Sequence, residues 1–239
     1  MADDLIYMTT RGDEFKEMAS VCVRSLRTVG NFTGEIRVYT TNIDQHLESV
    51  DHLADLIVTE FKGPIMLDRL VALELIDPHA YRNILALDAD ILAMRDVAQL
   101  LQVQNEILYM EEYWSRICQR PPGDTMYTHG MTDTELRRYS QLLTINVGHF
   151  TICGKILDDV RHMYRHLVES AGGYPFGSDQ AAFNVLIRRK YFKSRPYDLF
   201  DVGNATKIPE PLWKDYKIIH FAGYNDRISK FRELSKNYI

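Results

Sequence analysis

Two acids separated by one small residue break an apolar run in Asn83-Ile84-Leu85-Ala86-Leu87-Asp88-Ala89-Asp90-Ile91-Leu92. A short run of Ile, Leu and Ala bounded by polar residues is the pattern of a strand buried on both faces. Side chains alternate along a strand, so Asp88 and Asp90 are expected to point the same way. Two carboxylates held together at the end of a buried strand repel each other unless a cation neutralises them. The simplest cation is a divalent ion with hard oxygen preference, Mn²⁺ or Mg²⁺. Asp90 reads as the direct ligand, and Asp88 as a second ligand or an acceptor for a sugar hydroxyl. A bare Asp-x-Asp is also common on solvated loops.

Four further groups carry possible chemistry. His220 closes an apolar strand in Lys217-Ile218-Ile219-His220-Phe221. Taken alone, it reads first as a buried histidine satisfied by a backbone carbonyl; a neutral imidazole can also complete an oxygen-rich divalent site. Asp179-Gln180 opens a helix, where an acid is an ordinary partner for the helix dipole or a polar group aimed at a sugar. Asn146-x-Gly148 combines an amide with a glycine that permits close approach of a ligand, or marks irregular strand geometry and nothing more. Arg69 on a helix is either solvated or a bidentate phosphate clamp.

The elements that must position these groups alternate. Residues 5–10 read as a strand, and residues 13–29 as a helix with an apolar stripe at Phe15, Met18, Ala19, Cys22, Leu26 and Val29. Thr10 and Asp13 resemble a capping arrangement, and Phe15 reads as core. Residues 35–40 and 56–59 are strands with a helix over 44–54 between them, and Pro64 opens a helix reaching Ile76. Later come a short helix over 96–101, a strand over 107–110, a long loop over 111–131 and an interrupted strand over 142–153. A helix over 155–171 follows, ended by Gly172-Gly173, then a helix capped by Ser178, a loop-rich stretch over 196–216 and the strand with His220. This alternation predicts an α/β fold with a Rossmann-like, mostly parallel open sheet flanked by helices, binding nucleotide-type ligands at the carboxyl ends of its strands. No linker divides the 239 residues. A single domain is expected, with residues 1–104 as a nucleotide-binding half and 105–239 as an acceptor-shaping half.

Composition narrows the classes. The chain is 46% hydrophobic and 11% aromatic, with a net charge of −5, so it has an ordinary core and no basic footprint for nucleic acid. Its three cysteines follow no metal spacing; Cys22 and Cys153 read as small core residues, and such usage fits a reducing cytoplasm. No signal peptide or spanning helix is expected. The tail, with Lys230, Phe231, Arg232 and Lys236, supports at most peripheral membrane contact. Oligomeric state is not readable.

The groups, in this order, resemble the retaining GT-A glycosyltransferases of family 8, the glycogenin and lipopolysaccharide galactosyl- and glucosyltransferase type. The resemblance spans residues 5 to 223. Its most specific pieces are Leu85-Ala86-Leu87-Asp88-Ala89-Asp90-Ile91-Leu92 and Lys217-Ile218-Ile219-His220-Phe221-Ala222-Gly223. It implies that Asp88, Asp90 and His220 hold Mn²⁺ (or Mg²⁺) against the diphosphate of a UDP-sugar. It places the nucleotide-sugar near Thr9, Thr10, Asp13, Arg69, Asp88, Ala89, Asn146, Gly148 and Gly223, with Asp179 and Gln180 as catalytic groups around the transferred sugar. It also implies a carbohydrate or glycoconjugate acceptor, met by residues 111–131 and 190–216; Glu111, Glu112, Tyr113 and Trp114 are candidates to line it.

One departure stands out. The family places Lys-Pro-Trp three residues past the glycine of His-Phe-x-Gly, and here Asp226, Arg227 and Ile228 occupy those positions. Arg227 or Lys230 are the available substitutes for the lysine. Three other classes compete. A haloacid-dehalogenase-type phosphatase also uses Asp-x-Asp after a strand, with the first acid as nucleophile, but nearer the N-terminus and without a following Ile-Leu. A sugar nucleotidyltransferase needs a Gly-rich loop after the first strand, and Thr9-Thr10-Arg11-Gly12 is poor in glycine. A non-catalytic nucleotide-sugar-binding module is kept open by the missing lysine.

Overall fold

The structure is a computed structural model that describes residues 3–121, 124, 126–170 and 178–236, the side chains of Met66 and Ser178 excepted. In chain order the elements are β1 (Asp3–Thr10), α1 (Asp13–Thr28), β2 (Glu35–Thr40), α2 (Gln45–Glu48), β3 (Asp55–Val58), α3 (Asp68–Glu74), β4 (Tyr81–Leu87), β5 (Ile91–Ala93) and β6 (Ile107–Arg116). They continue with α4 (Asp133–Tyr139), β7 (Leu143–Cys153), α5 (Leu157–Ser170), α6 (Ser178–Arg188), β8 (Ser194–Pro196), β9 (Val202–Asn204), β10 (Ile218–His220) and α7 (Arg227–Ser235).

Seven strands form one sheet in the order β3-β2-β1-β4-β7-β6-β8. The β3–β2, β2–β1, β1–β4 and β6–β8 pairs are parallel. β7 runs antiparallel to both β4 and β6. Alternate residues of β1 and β4 leave for opposite cores: Ile6, Met8, Leu85 and Leu87 pack with α1, while Leu5, Tyr7, Ile84 and Ala86 pack with α3, α5 and α6. The mostly parallel α/β sheet expected from the alternation is therefore what forms, and its strands come from both halves of the chain.

A second, three-stranded sheet, β5-β10-β9, was not visible in the residue pattern. Its formation corrects the reading of residues 83–92 as one strand. β4 stops at Leu87, Asp88 to Asp90 turn, and β5 begins in the other sheet. The two acids therefore lie where the chain steps from one sheet to the other, not on the alternating faces of a strand. β10 pairs antiparallel with β5, and that register sets His220 opposite Ile91. Two backbone bonds pin the step: the Asp88 N–H donates to the Gly148 carbonyl (2.7 Å), and the Phe221 N–H donates to the Asp90 carbonyl (2.9 Å).

Other boundaries shift for local reasons. Only Gln45–Glu48 of the 44–54 segment is helical, capped by Asp44, whose carboxylate accepts from the His46 and Leu47 N–H groups. Pro64 precedes a 3₁₀ turn at Ile65–Leu67, and α3 starts at Asp68. Gly12, not Thr10, occupies the N-cap of α1, without a side-chain cap. The loop expected over 111–131 begins as six further residues of β6. Gly172-Gly173 and the capping group of Ser178 lie outside the described parts. The interruption expected at Asn146-Val147-Gly148 is a bulge: the β6 ladder passes from Phe150 to Asn146 and skips residues 147–149, and such bulges re-aim side chains.

α6 is fastened to that strand by a buried amide. Asn184 accepts from the Ile145 N–H (2.9 Å) through Oδ1, and its Nδ2 donates to the Ile145 and Gln180 carbonyls (both 2.9 Å). Asn184→Ala strands the Ile145 N–H and C=O without partners. Each such loss costs about 1–3 kcal/mol, so urea unfolding is expected to show a destabilisation of about 2–4 kcal/mol; a change below 0.5 kcal/mol contradicts this role.

Candidate active site

A cleft of about 530 Å³ opens at the carboxyl end of β4. Asp88, Ala89 and Asp90 line it, with Gly148 and Asn146 from β7, His220 and Gly223 at and after β10, Arg69 from α3, and Asp179 and Gln180 from α6. Thr9 lines it too. Thr10 and Asp13 do not: the Thr10 side chain is buried below, and Asp13 turns into solvent, where Lys16 meets it at 3.1 Å. An acid at the first position of a helix faces outward unless something holds it inward, and nothing here does. Phe15 does both jobs its position allows, packing against the core and lining the cleft.

The carboxylates are divided in a regular way. Asp88 gives Oδ1 to the Arg69 guanidinium and turns Oδ2 to His220 Nε2, 3.4 Å away. Asp90 gives Oδ2 to the Arg227 guanidinium (2.9 Å) and turns Oδ1 to the same nitrogen, 3.2 Å away. Asp88, Asp90 and His220 thus each present one ligand atom, all within 4.8 Å of one another. Ligands at adjacent positions of an octahedral ion with bonds of about 2.1 Å lie about 3 Å apart. Two hard oxygens and one imidazole nitrogen suit Mn²⁺ or Mg²⁺. Both nitrogens of His220 are buried with no hydrogen-bond partner of adequate geometry. The residues present fit a divalent ion.

Gly148 makes the convergence possible. A Cβ there would lie 2.4 Å from His220 Cε1 and 2.6 Å from Asp88 Oδ2. The glycine is needed for close approach of the ligating side chains themselves, where its place in the strand alone suggested approach of a bound ligand. Asn146 is likewise occupied: its Oδ1 accepts from the Gly148 N–H (2.7 Å), and its Nδ2 donates to Glu112 (3.2 Å).

Arg69 corrects another expectation. It is not solvated but a buried bridge between carboxylates at the edge of the cleft: besides Asp88 it reaches Asp179 at 3.0 Å. Burial opposes its charge, but Asp88 and Asp179 outweigh burial and keep it cationic. Two acids share this one guanidinium unequally. Burial pushes Asp88 up, yet Arg69 and His220 overcome it and hold the carboxyl far below the usual range. For Asp179 burial wins over Arg69, and its pKa rises to about 6. Burial lowers the His220 pKa, but Asp90 and Asp88 raise it to about 10. The two acids therefore favour the charged ring, and a divalent ion held by Nε2 would compete with that nitrogen's proton.

The Asp226 question has a local answer. Asp226 accepts from Ser229 Oγ (2.7 Å), outside the cleft, and the next residue brings a cation in. Arg227 lies over the Phe15 ring at 5.1 Å while pairing with Asp90. Lys230, the other substitute, is taken by Glu210 (2.8 Å) and Glu233 (3.0 Å).

Several cleft residues had no local signal. Tyr127, Asn204 and Thr206 come from loop-rich stretches, Arg11 from the turn after β1 and Asp68 from the first position of α3. Glu112 and Trp114, expected in the acceptor region, do line the cleft. Glu112 is buried among neutral donors: Thr144 Oγ1 (2.7 Å), Asn146 Nδ2 (3.2 Å) and the Tyr127 hydroxyl (3.3 Å). His149, beside Gly148, was passed over altogether, although a histidine in an apolar strand is itself a signal.

No protein-family model and no curated protein sequence matches the chain. Solved structures do. The galactosyltransferase LgtC, in complex with donor and acceptor sugar analogues, superposes with a TM-score of 0.66 at 15% identity, covering 98% of this chain and 95% of that one. A glycosyltransferase involved in glycosylation of the major capsid of PBCV-1 gives 0.61 at 13% identity, covering 97% and 99%. The bifunctional glycosyltransferase WbbM gives 0.68 at 11% identity, covering 99% of this chain and 50% of that one. The fold is that of the GT-A glycosyltransferases. At these identities the likeness carries the fold alone, and the cleft described above rests on this chain's own geometry.

Gly148→Ala is the sharpest probe of that geometry. The added methyl forces His220 or Asp88 out of place, so Mn²⁺ affinity is expected to fall more than tenfold by calorimetric titration, with the far-UV circular dichroism spectrum retained. An unchanged affinity contradicts the assigned donor atoms.

Proposed function

We propose that this chain is a metal-dependent glycosyltransferase. It moves a hexosyl group from a nucleoside diphosphate sugar, a UDP-sugar, to a hydroxyl of a glycan or glycoconjugate acceptor. The observation that carries the reading is the convergence of Asp88 Oδ2, Asp90 Oδ1 and His220 Nε2 in the cleft of a GT-A fold. Retention of configuration follows from the family 8 resemblance of the sequence. In this reading residues 1–104 supply most of the donor side and residues 105–239 the acceptor side.

Bound between these ligands, Mn²⁺ or Mg²⁺ supplies Lewis-acid stabilisation of the departing diphosphate. The chain's own residues do the rest. Asp88, Asp90 and His220 fix the ion's position. Arg69 keeps Asp88 ionised, and with it the ligand set. Arg227 stands on the opposite edge of the acids, lining the cleft, where its charge would stabilise a departing phosphate. Thr9 and Gly223 border the nucleotide side of the cleft. Asp179 and Gln180 face the sugar as positioning and charge-stabilising groups; Gln180 Nε2 is buried without a partner and has a donor to offer. Glu112 and Trp114 border the acceptor side.

The test is donor hydrolysis and transfer across a panel of nucleotide sugars with Mn²⁺, for the wild type and Asp90→Ala. The expected outcome is turnover with a UDP-sugar that falls at least 100-fold in the variant and on chelation. Equal turnover in both contradicts the metal assignment. UDP binding with no turnover of any donor indicates a binding module, and hydrolysis of simple phosphate esters indicates a phosphatase.

A further inference from the structure

His149 is a buried polar ring with no evident employment. It lies on β7 beside Gly148, opposite Leu87 of β4, and is fully inaccessible. Neither of its nitrogens has a hydrogen-bond partner. One neighbouring ring is Tyr197, with centroids 5.9 Å apart, whose hydroxyl is already engaged with Thr151 Oγ1 at 2.7 Å. The other is His220, whose centroid lies 5.4 Å away with the planes at 88°.

An apolar side chain would fill this place without stranding polar atoms, and buried unpaired polar groups are rare because each costs free energy. The vacancy has a counterpart. His220 Nδ1 is also buried and unpartnered. A histidine that ligates a metal through Nε2 carries its proton on Nδ1 and donates it to an outer group, which fixes tautomer and ring orientation. Among the described residues no carboxylate or carbonyl takes that hydrogen bond.

We propose that His149 is the hydrogen-bond acceptor for His220 Nδ1–H, a positioning residue one layer behind the metal ligands. The proposal rests on the divalent-ion reading of the site. Two imidazoles joined by an N–H···N bond of about 3 Å have centres about 5 Å apart, close to the separation observed. The planes stand at 88°, so the bond needs the His149 ring to turn its nitrogen toward His220 Nδ1 while His220 Nε2 stays with Asp88 and Asp90. The same register that seats Gly148 against the ligands seats His149 behind them, because the two are consecutive on a bulged strand.

The experiment is titration of free Mn²⁺ by electron paramagnetic resonance on the full chain. His149→Phe keeps an aromatic ring and removes the acceptor; His149→Asn and His149→Gln keep an acceptor at the two reaches of the imidazole. Mn²⁺ affinity is expected to fall about 10- to 100-fold in His149→Phe and to recover in one of the amide variants. Metal-free thermal unfolding of His149→Phe is expected to stay at or above the wild-type midpoint. Wild-type affinity in His149→Phe overturns the proposal, as does an equal loss in all three variants, which marks a packing role. Failure of the wild type to take up Mn²⁺ overturns the metal reading, and this inference with it.

Discussion

Everything in this cleft answers to two carboxylates that the chain cannot separate. Asp88 and Asp90 are tied to the backbone on either side of a single residue, at the step between two sheets. Like charges at that distance destabilise each other in a poorly solvated place. The fold meets them with Arg69 on one flank, Arg227 on the other and His220 between. The arginines occupy the outer oxygens, so only the inner ones are left to face the imidazole. A divalent ion among three such atoms would find its ligands already ordered, with their charge partly balanced from outside.

That arrangement needs two sheets and a bulge. The large sheet ends β4 at Leu87; the small one catches the chain at Ile91 and sets His220 in register beside it. β7 carries Gly148 past the ligands only because it has no side chain. α6, held to β7 through Asn184, brings Asp179 back to Arg69. The site is therefore an outcome of topology more than of any one motif, in keeping with ligand sites at the carboxyl ends of strands in open α/β sheets.

Much of this was legible in the sequence. The apolar stripe of α1, the strands β1 and β2 and the mostly parallel sheet follow from local periodicity. The family 8 resemblance groups Asp88, Asp90 and His220, and the structure brings one donor atom of each within 4.8 Å of the others. The shared direction of the two acids comes from the turn at Asp88 to Asp90 and not from alternation along a strand. What stayed hidden depends on contacts between residues far apart in the chain. Arg69 reads locally as solvated or as a phosphate clamp because nothing nearby in the chain shows that Asp179, from a helix more than a hundred positions on, shares it. Asp13 was placed in the cleft by analogy, and the helix start turns it outward. Of the second sheet only β10 left a pattern, because β5 continues the apolar run of β4 and β9 is three residues in a loop-rich stretch.

The most direct test of the account is a crystal structure with Mn²⁺ and UDP, with the ion located by its anomalous scattering. The account requires a single strong peak within bonding distance of Asp88 Oδ2, Asp90 Oδ1 and His220 Nε2, with the diphosphate on its open side. A peak elsewhere, or UDP bound in this cleft with the three side chains unmoved and no ion between them, would contradict it.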